Sequence, residues 1–146
     1  MKIAVYTIAL NEEQFVERWY ESAKEADYLM IADTGSVDRT VEKAKELGIV
    51  CHTISVRPWR FDDARNAALA LLPDDIDYCI SLDMDEVLAP GWRDEMEKVP
   101  EGSTRIRYNY TWNFNPDGTP GLTFAGDKIH ARHGYRWQHP VHECLY

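Results

Sequence analysis

The chain is poor in cysteine, in positive charge and in long apolar runs. Its three cysteines, Cys51, Cys79 and Cys144, are odd in number and show no C-x-x-C spacing, so a disulfide framework is not expected. Cys51 and Cys79 lie in apolar, strand-like segments and read as buried free thiols. No apolar run approaches the roughly 18 residues that cross a bilayer, and the N-terminal MKIAVYTIALNEE lacks a small-residue cleavage site, so no transmembrane segment and a cytoplasmic setting are expected. Lysine and arginine number 16 against 25 aspartates and glutamates, a formal net charge of −9. Such a surface repels nucleic acid and anionic membranes, so a nucleic-acid partner is not expected. An anionic ligand would need a local source of positive charge, and a metal ion can be one.

Linkers, internal repeats and low-complexity tracts are also missing from these 146 residues, enough for one domain with one sizeable core. What is present alternates. KIAVYTIA reads as a strand, Asn11 with Gln14 as a capping box, and EEQFVERWYESAKEA as a helix with Phe15, Trp19, Ala23 and Ala26 on one face. YLMIAD is a strand, GSVDRTVEKAKELG a helix closed by Gly48, and IVCHTIS a strand; RFDDARNAALALLP is a helix stopped by Pro73, and DYCISLD a further strand. This order predicts an α/β fold with a mostly parallel sheet flanked by helices. After Pro90 the pattern changes: GWRDEMEKV is a short helix, TRIRYNYTWN a half-exposed strand with Ile106, Tyr108, Tyr110 and Trp112 on one face, and NPDG a turn. The remaining tail reads as strand and loop.

In open parallel sheets, ligands bind beyond the carboxyl ends of the strands. Three polar clusters fall at such ends: Asn11-Glu12-Glu13, Asp33-Thr34-Gly35-Ser36 and Asp83-Met84-Asp85-Glu86. Spacing of two puts Asp83 and Asp85 on one side of an extended segment, with Met84 turned inward. Paired carboxylates favour a hard divalent ion that also takes substrate phosphates, whereas the plainer reading is a solvated acidic turn, with Glu86 bracing it. Asp33 at a strand end can accept a hydrogen bond from a base N–H, while Ser36 and Asp38 are ordinary helix-capping residues. Arg65 can contact a base carbonyl or a phosphate, or pair with Asp62 or Asp63. The tail holds His130, His133, His139 and His142, a pattern that allows a zinc site but lacks the usual cysteine pairs.

Taken in order, NEE, DTGSVDRT, ARNAAL and LDMDE resemble the family 2 glycosyltransferases of the GT-A fold. The resemblance covers roughly residues 3–90 and implies a Rossmann-like, mostly parallel sheet with a mixed or antiparallel C-terminal portion. It implies a single domain over 1–146, with a nucleotide-sugar half at 1–90 and an acceptor-side half at 91–146. Relatives commonly continue beyond the point where this chain ends, at Tyr146, so it reads as a minimal enzyme or a truncated one.

The implied activity is metal-dependent transfer of a sugar, with inversion, from a nucleoside-diphosphate sugar, uridine favoured, to a hydroxyl of a carbohydrate, lipid-linked or protein acceptor. By resemblance Asp33 binds the base, Arg65 assists at base or phosphates, and Asp83 contacts the ribose or the metal. Asp85 holds Mn²⁺ or Mg²⁺ on the diphosphate, Thr7, Ala9 and Glu12 line the nucleotide pocket, and His142 reaches back to the metal. No separate base motif is present, which leaves Glu143 and Asp127 as the candidate bases. Two rivals are a nucleotide-sugar- or carbohydrate-binding module of the same shape without turnover, and a phosphatase of the haloacid dehalogenase type, because ISLDMDEV also matches D-x-D-x-[TV].

Overall fold

Strand β1 (Ile3–Ala9) is buried on both faces because it lies inside a six-stranded sheet of order β3-β2-β1-β4-β6-β5. The computed structural model describes residues 1–146. β2 (Tyr28–Asp33), β3 (Val50–Thr53) and β4 (Tyr78–Ser81) run parallel in one block with β1, which pairs with β2 on one side and β4 on the other. The chain therefore leaves β1 in one direction to build β2 and β3, then returns to lay β4 on its other side. This reversal opens a crevice at the carboxyl ends of β1 and β4. β6 (Thr123–Ala131) lies antiparallel to β4, and β5 (Arg105–Thr111) antiparallel to β6, so the expected α/β sheet with an antiparallel C-terminal portion is what forms.

Alternation along β1 divides the core. Ile3, Val5 and Ala9 pack with α1 (Val16–Ala23), α2 (Thr40–Glu46) and α4 (Trp92–Glu97) through Trp19, Ala44, Trp92 and Met96. Ala4 and Tyr6 face the opposite side and pack on α3 (Phe61–Ala70) through Ala68 and Leu69. Trp19 is fully buried, and its indole N–H donates to the carbonyl of Leu82 at 2.8 Å. One side chain thus satisfies its polar edge while fixing the segment that leaves β4.

Three local expectations differ from the structure. Asn11 is no helix cap: its φ is +52°, and the helical segment opens at Glu13 with no side-chain cap. The helix expected from Gly35 begins only at Thr40, because Asp33, Ser36 and Asp38 hold 34–39 as a hydrogen-bonded loop. The tail is more ordered than strand and loop suggest, since β6 runs through His130, and β7 (Trp137–Gln138) pairs with β8 (Cys144–Leu145) as a small clip against α3.

β5 and β6 pair with a register irregularity between Ile106 and Tyr108, where β6 contributes one extra residue around Asp127 and Lys128. Tyr108 lies over Gly126, where an added Cβ would stand 2.5 Å from the ring and push it aside. Beyond this point the two strands form a ribbon closed by the expected turn, in which Gly118 N–H donates to Asn115 O at 2.9 Å.

Candidate functional site

A cavity of about 510 Å³ opens at the crevice between the carboxyl ends of β1 and β4. Its lining mixes apolar side chains, Ile8, Ala9, Leu10, Trp59, Phe61 and Met84, with the polar and charged Glu12, Thr34, Arg65, Asp83 and Asp85. Trp59 and Phe61 meet edge to face, with centroids 5.2 Å apart. A lining that is about half apolar and half polar or charged suits a ligand that carries both a ring and anionic groups.

The loops after β1 and β2 are tied together. Asn11 N–H donates to Ser36 Oγ at 2.8 Å, Val37 N–H to Asn11 Oδ1 at 2.8 Å, and Glu12 N–H to Thr40 Oγ1 at 2.9 Å. Asp33 is 2% exposed; its carboxylate accepts from Gly35 N–H at 3.0 Å, Ser36 N–H at 2.8 Å and the Ser36 hydroxyl. It organises the loop, and Thr34, its neighbour, is the residue that lines the cavity.

The D-x-D segment is a turn. Glu86 N–H donates to Asp83 O at 2.9 Å, and Asp83 N–H to Glu86 Oε1 at 2.8 Å, so Glu86 braces the turn as the sequence suggests. Met84 points inward and is buried. Arg18 Nη2 donates to the carbonyl of Asp85 at 2.8 Å, leaving that residue's carboxylate without an ion pair. Burial first, then the charges of Asp85, Asp83 and Asp38, hold the Glu12 carboxyl above the usual glutamate range.

Arg65 is buried one turn into α3. Its Nη1 lies 2.9 Å from Asp83 Oδ1 and 3.3 Å from Ser81 Oγ, its Nε donates to Glu143 Oε1 at 2.5 Å, and its guanidinium sits 5.2 Å from the centre of the Trp137 ring. Burial alone would lower its pKa, but Asp83 and then Glu143 raise it, so the guanidinium stays charged. Asp83 is the mirror case: burial pushes its pKa up, and Arg65 and Lys128 bring it down below the usual aspartate range. The neighbouring Asn66 reads the backbone of Trp137 twice, accepting from its N–H at 2.7 Å and donating to its carbonyl at 2.9 Å. The R-N pair therefore joins the cavity to the C-terminal clip.

Behind Trp137 runs a buried relay. Trp137 Nε1–H donates to Tyr6 Oη at 2.9 Å, the Tyr6 hydroxyl to His130 Nε2 at 3.0 Å, and His130 Nδ1–H to the Ala131 carbonyl at 2.8 Å. Because a carbonyl can only accept, the imidazole is neutral with its proton on Nδ1. Burial pulls its pKa down to about 4.

Of the residues singled out in the sequence, Ala9, Glu12, Arg65, Asp83 and Asp85 meet on the cavity. Thr7 does not: it is buried within β1, with its hydroxyl donated to Ile8 O at 3.0 Å. His142 is exposed on the clip at φ +54° and does not line the cavity. Asp127 pairs instead with Arg105 across β5 and β6, and Glu143 is held by Arg65. No three His, Cys, Asp or Glu side chains come close enough together to hold a metal ion by themselves, so the tail histidines form no zinc set. Trp59, Phe61 and Lys128 enter the site without having been foreseen. Aromatic neighbours of the R-N helix were the available signal for the first two; for Lys128 there was none.

A mostly parallel α/β sheet with a D-x-D turn at its switch point defines a protein of the GT-A class. The chain belongs to Glycosyl transferase family 2, whose profile matches residues 4–101. An uncharacterised glycosyltransferase of Rickettsia bellii is 30% identical over 109 residues, covering 73% of this chain and 35% of that protein. This chain thus spans about a third of the length of the curated relatives it matches. Among solved structures, glucosyl-3-phosphoglycerate synthase from Mycobacterium tuberculosis, in complex with Mn²⁺, UDP and glucosyl-3-phosphoglycerate, superposes with a TM-score of 0.58 at 25% identity, covering 71% of this chain and 42% of that one. Staphylococcus aureus TarS shares the fold, with a TM-score of 0.53 at 19% identity, over 66% of this chain and 19% of that one.

Proposed function

We propose that this chain is the donor-binding domain of a metal-dependent glycosyltransferase. It moves a sugar, with inversion, from a nucleoside-diphosphate sugar to a hydroxyl of a carbohydrate, lipid-linked or protein acceptor. The observation that carries the reading is the convergence of Glu12, Asp83, Asp85 and Arg65 on one half-apolar cavity at the switch point. Uridine is the favoured base and Mn²⁺ the favoured ion, supported by the mycobacterial synthase, whose complexes contain both.

The residues present fit a hard divalent ion. Arg65 is balanced by Asp83 and Glu143, and Lys128 lies beside Asp83, so the two cavity carboxylates without a cationic partner are Asp85 and Glu12. Mn²⁺ or Mg²⁺ characteristically uses one or two carboxylates and takes further oxygens from substrate phosphates and water. Asp85 would hold the ion, which when bound supplies charge neutralisation to the leaving diphosphate. Trp59, Phe61 and Leu10 offer the nucleoside part-exposed apolar side chains to pack on, and the tied loop of Asp33 and Asn11 fixes its position. Arg65, already charged and held at three oxygens, stabilises growing negative charge with little reorganisation.

One observation favours a second reading, a nucleotide-sugar-binding module without turnover: both candidate bases, Glu143 and Asp127, are engaged in ion pairs. Release of glucose or its transfer from UDP-glucose, followed with Mn²⁺ and with EDTA, separates the two. For the metal assignment, Asp85→Ala abolishes the Mn²⁺-dependent part of UDP binding in calorimetry; undiminished Mn²⁺-dependent affinity would refute it.

A further inference from the structure

Lys128 occupies a position that regular strand alternation would not give it. The extra residue in β6 lets neighbouring Asp127 pair with Arg105 while the Lys128 ammonium reaches across to β4, 3.5 Å from Asp83 Oδ2. Bulges of this kind re-aim side chains next to active sites. The two oxygens of Asp83 thus face two different cations, Arg65 at Oδ1 and Lys128 at Oδ2.

The two cations are not equivalent. Arg65 is buried, bonded at Nε and Nη1, and stacked on Trp137, so it is fixed. Lys128 is only half-buried, and its single charged neighbour stands beyond good hydrogen-bond length. Its ammonium keeps three donors on a flexible stem. Asp83, which lines the cavity, therefore has beside it a singly paired ammonium, next to a site whose carboxylates without a cationic partner are Asp85 and Glu12.

We propose that Lys128 is a diphosphate-binding cation of the donor site, kept in place by Asp83 and donated to the phosphate oxygens when the nucleotide enters. This deepens the donor-binding reading and rests on it. It assigns Asp83 the work of presenting cations, and leaves the divalent ion to Asp85. A Lys128 contact to the diphosphate strengthens as charge accumulates on the leaving group, so the residue acts in binding and in the bond-breaking step alike.

The test is calorimetry of wild type, Lys128→Met and Lys128→Arg with uridine, UMP and UDP, in Mn²⁺ and in EDTA. Charge-assisted contacts to phosphate are strong enough that Lys128→Met should weaken UDP binding about tenfold or more, while uridine binding stays as in wild type. The proportional loss should be greater in EDTA, where no ion shares the charge, and Lys128→Arg should recover most of the affinity. Equal weakening of uridine and UDP would mean a structural role and would overturn the inference, as would unchanged UDP binding in Lys128→Met. If wild type binds none of UDP, GDP and dTDP, the donor-binding reading itself fails and this inference with it.

Discussion

The parallel block β3-β2-β1-β4 and the antiparallel ribbon β5–β6 share one sheet but solve different problems. In the block β1, β2 and β4 are covered by helices on both faces and read as largely apolar runs, IAVYTIA and YLMIAD among them, while β3 is a half-buried edge. The ribbon alternates, and its apolar face begins buried and ends bare. Ile106 and Tyr108 pack against the core, whereas Trp112 is 69% exposed and Phe114 66%. Leu122, opposite Trp112, and Phe124, opposite Tyr110, are exposed too, so the outer ribbon is an amphipathic pair of strands with nothing over its aromatic side. A rigid block holds the loops of the cavity, and a less supported ribbon reaches beside it to deliver Lys128.

The largest expected consequence of that contrast is in stability. Trp19→Ala empties a large site in the core of the block and removes the hydrogen bond to Leu82 O, so it should cost about 3–5 kcal/mol in denaturant unfolding. UDP affinity should fall with it, because the D-x-D segment loses its anchor. A loss below about 1 kcal/mol would mean the block is not the rigid element.

Next comes acid. His130 is held neutral where the two regions meet, with its pKa lowered from 6.5 to about 4. The unfolded chain therefore binds a proton in this window that the folded chain resists. This contribution is complete above pH 6.5 and is lost as pH falls from 6.5 toward 4. One such group is worth on the order of 3 kcal/mol over that range. His130→Gln should show a shallower fall in unfolding free energy between pH 6.5 and 4 than wild type, and parallel curves would rule the buried imidazole out as the cause.

The smallest effect belongs to the bare ribbon. Trp112→Ser should change unfolding free energy by no more than about 0.5 kcal/mol, because the ring is already in solvent. A destabilisation of 2 kcal/mol would show that the aromatic face is packed in solution and that the contrast between block and ribbon is overdrawn.

How much of this was legible in the sequence follows the same division. In the block, strands, helices and the Gly48 cap could be read from period and turn chemistry, since local pattern and tertiary burial agree there. The same holds for the gathering of Glu12, Asp83 and Asp85, which follows from the rule that loops at strand carboxyl ends share a crevice, whereas Arg65, inside α3, was expected there from the family resemblance. Asn11 misled because its side chain serves a loop 26 residues away instead of the helix it precedes. Asp33 also holds its own loop through its carboxylate, a contact that the strand-end pattern does not announce. His142, Asp127 and Glu143 depend on how the tail is laid against α3 and β5, which no local pattern encodes.

The sequence by itself determined the apolar periodicities, the excess of acid and the order of NEE, DTGSVDRT, ARNAAL and LDMDE, and these suffice for the α/β fold and the D-x-D cavity. Only the tertiary structure decided which charges meet. Arg65 finds Glu143 across 78 positions, and one extra residue in β6 turns Lys128 to Asp83 while Asp127 pairs with Arg105. Pairing of that kind depends on register and long-range packing, and a single inserted residue changes which side chain reaches the site.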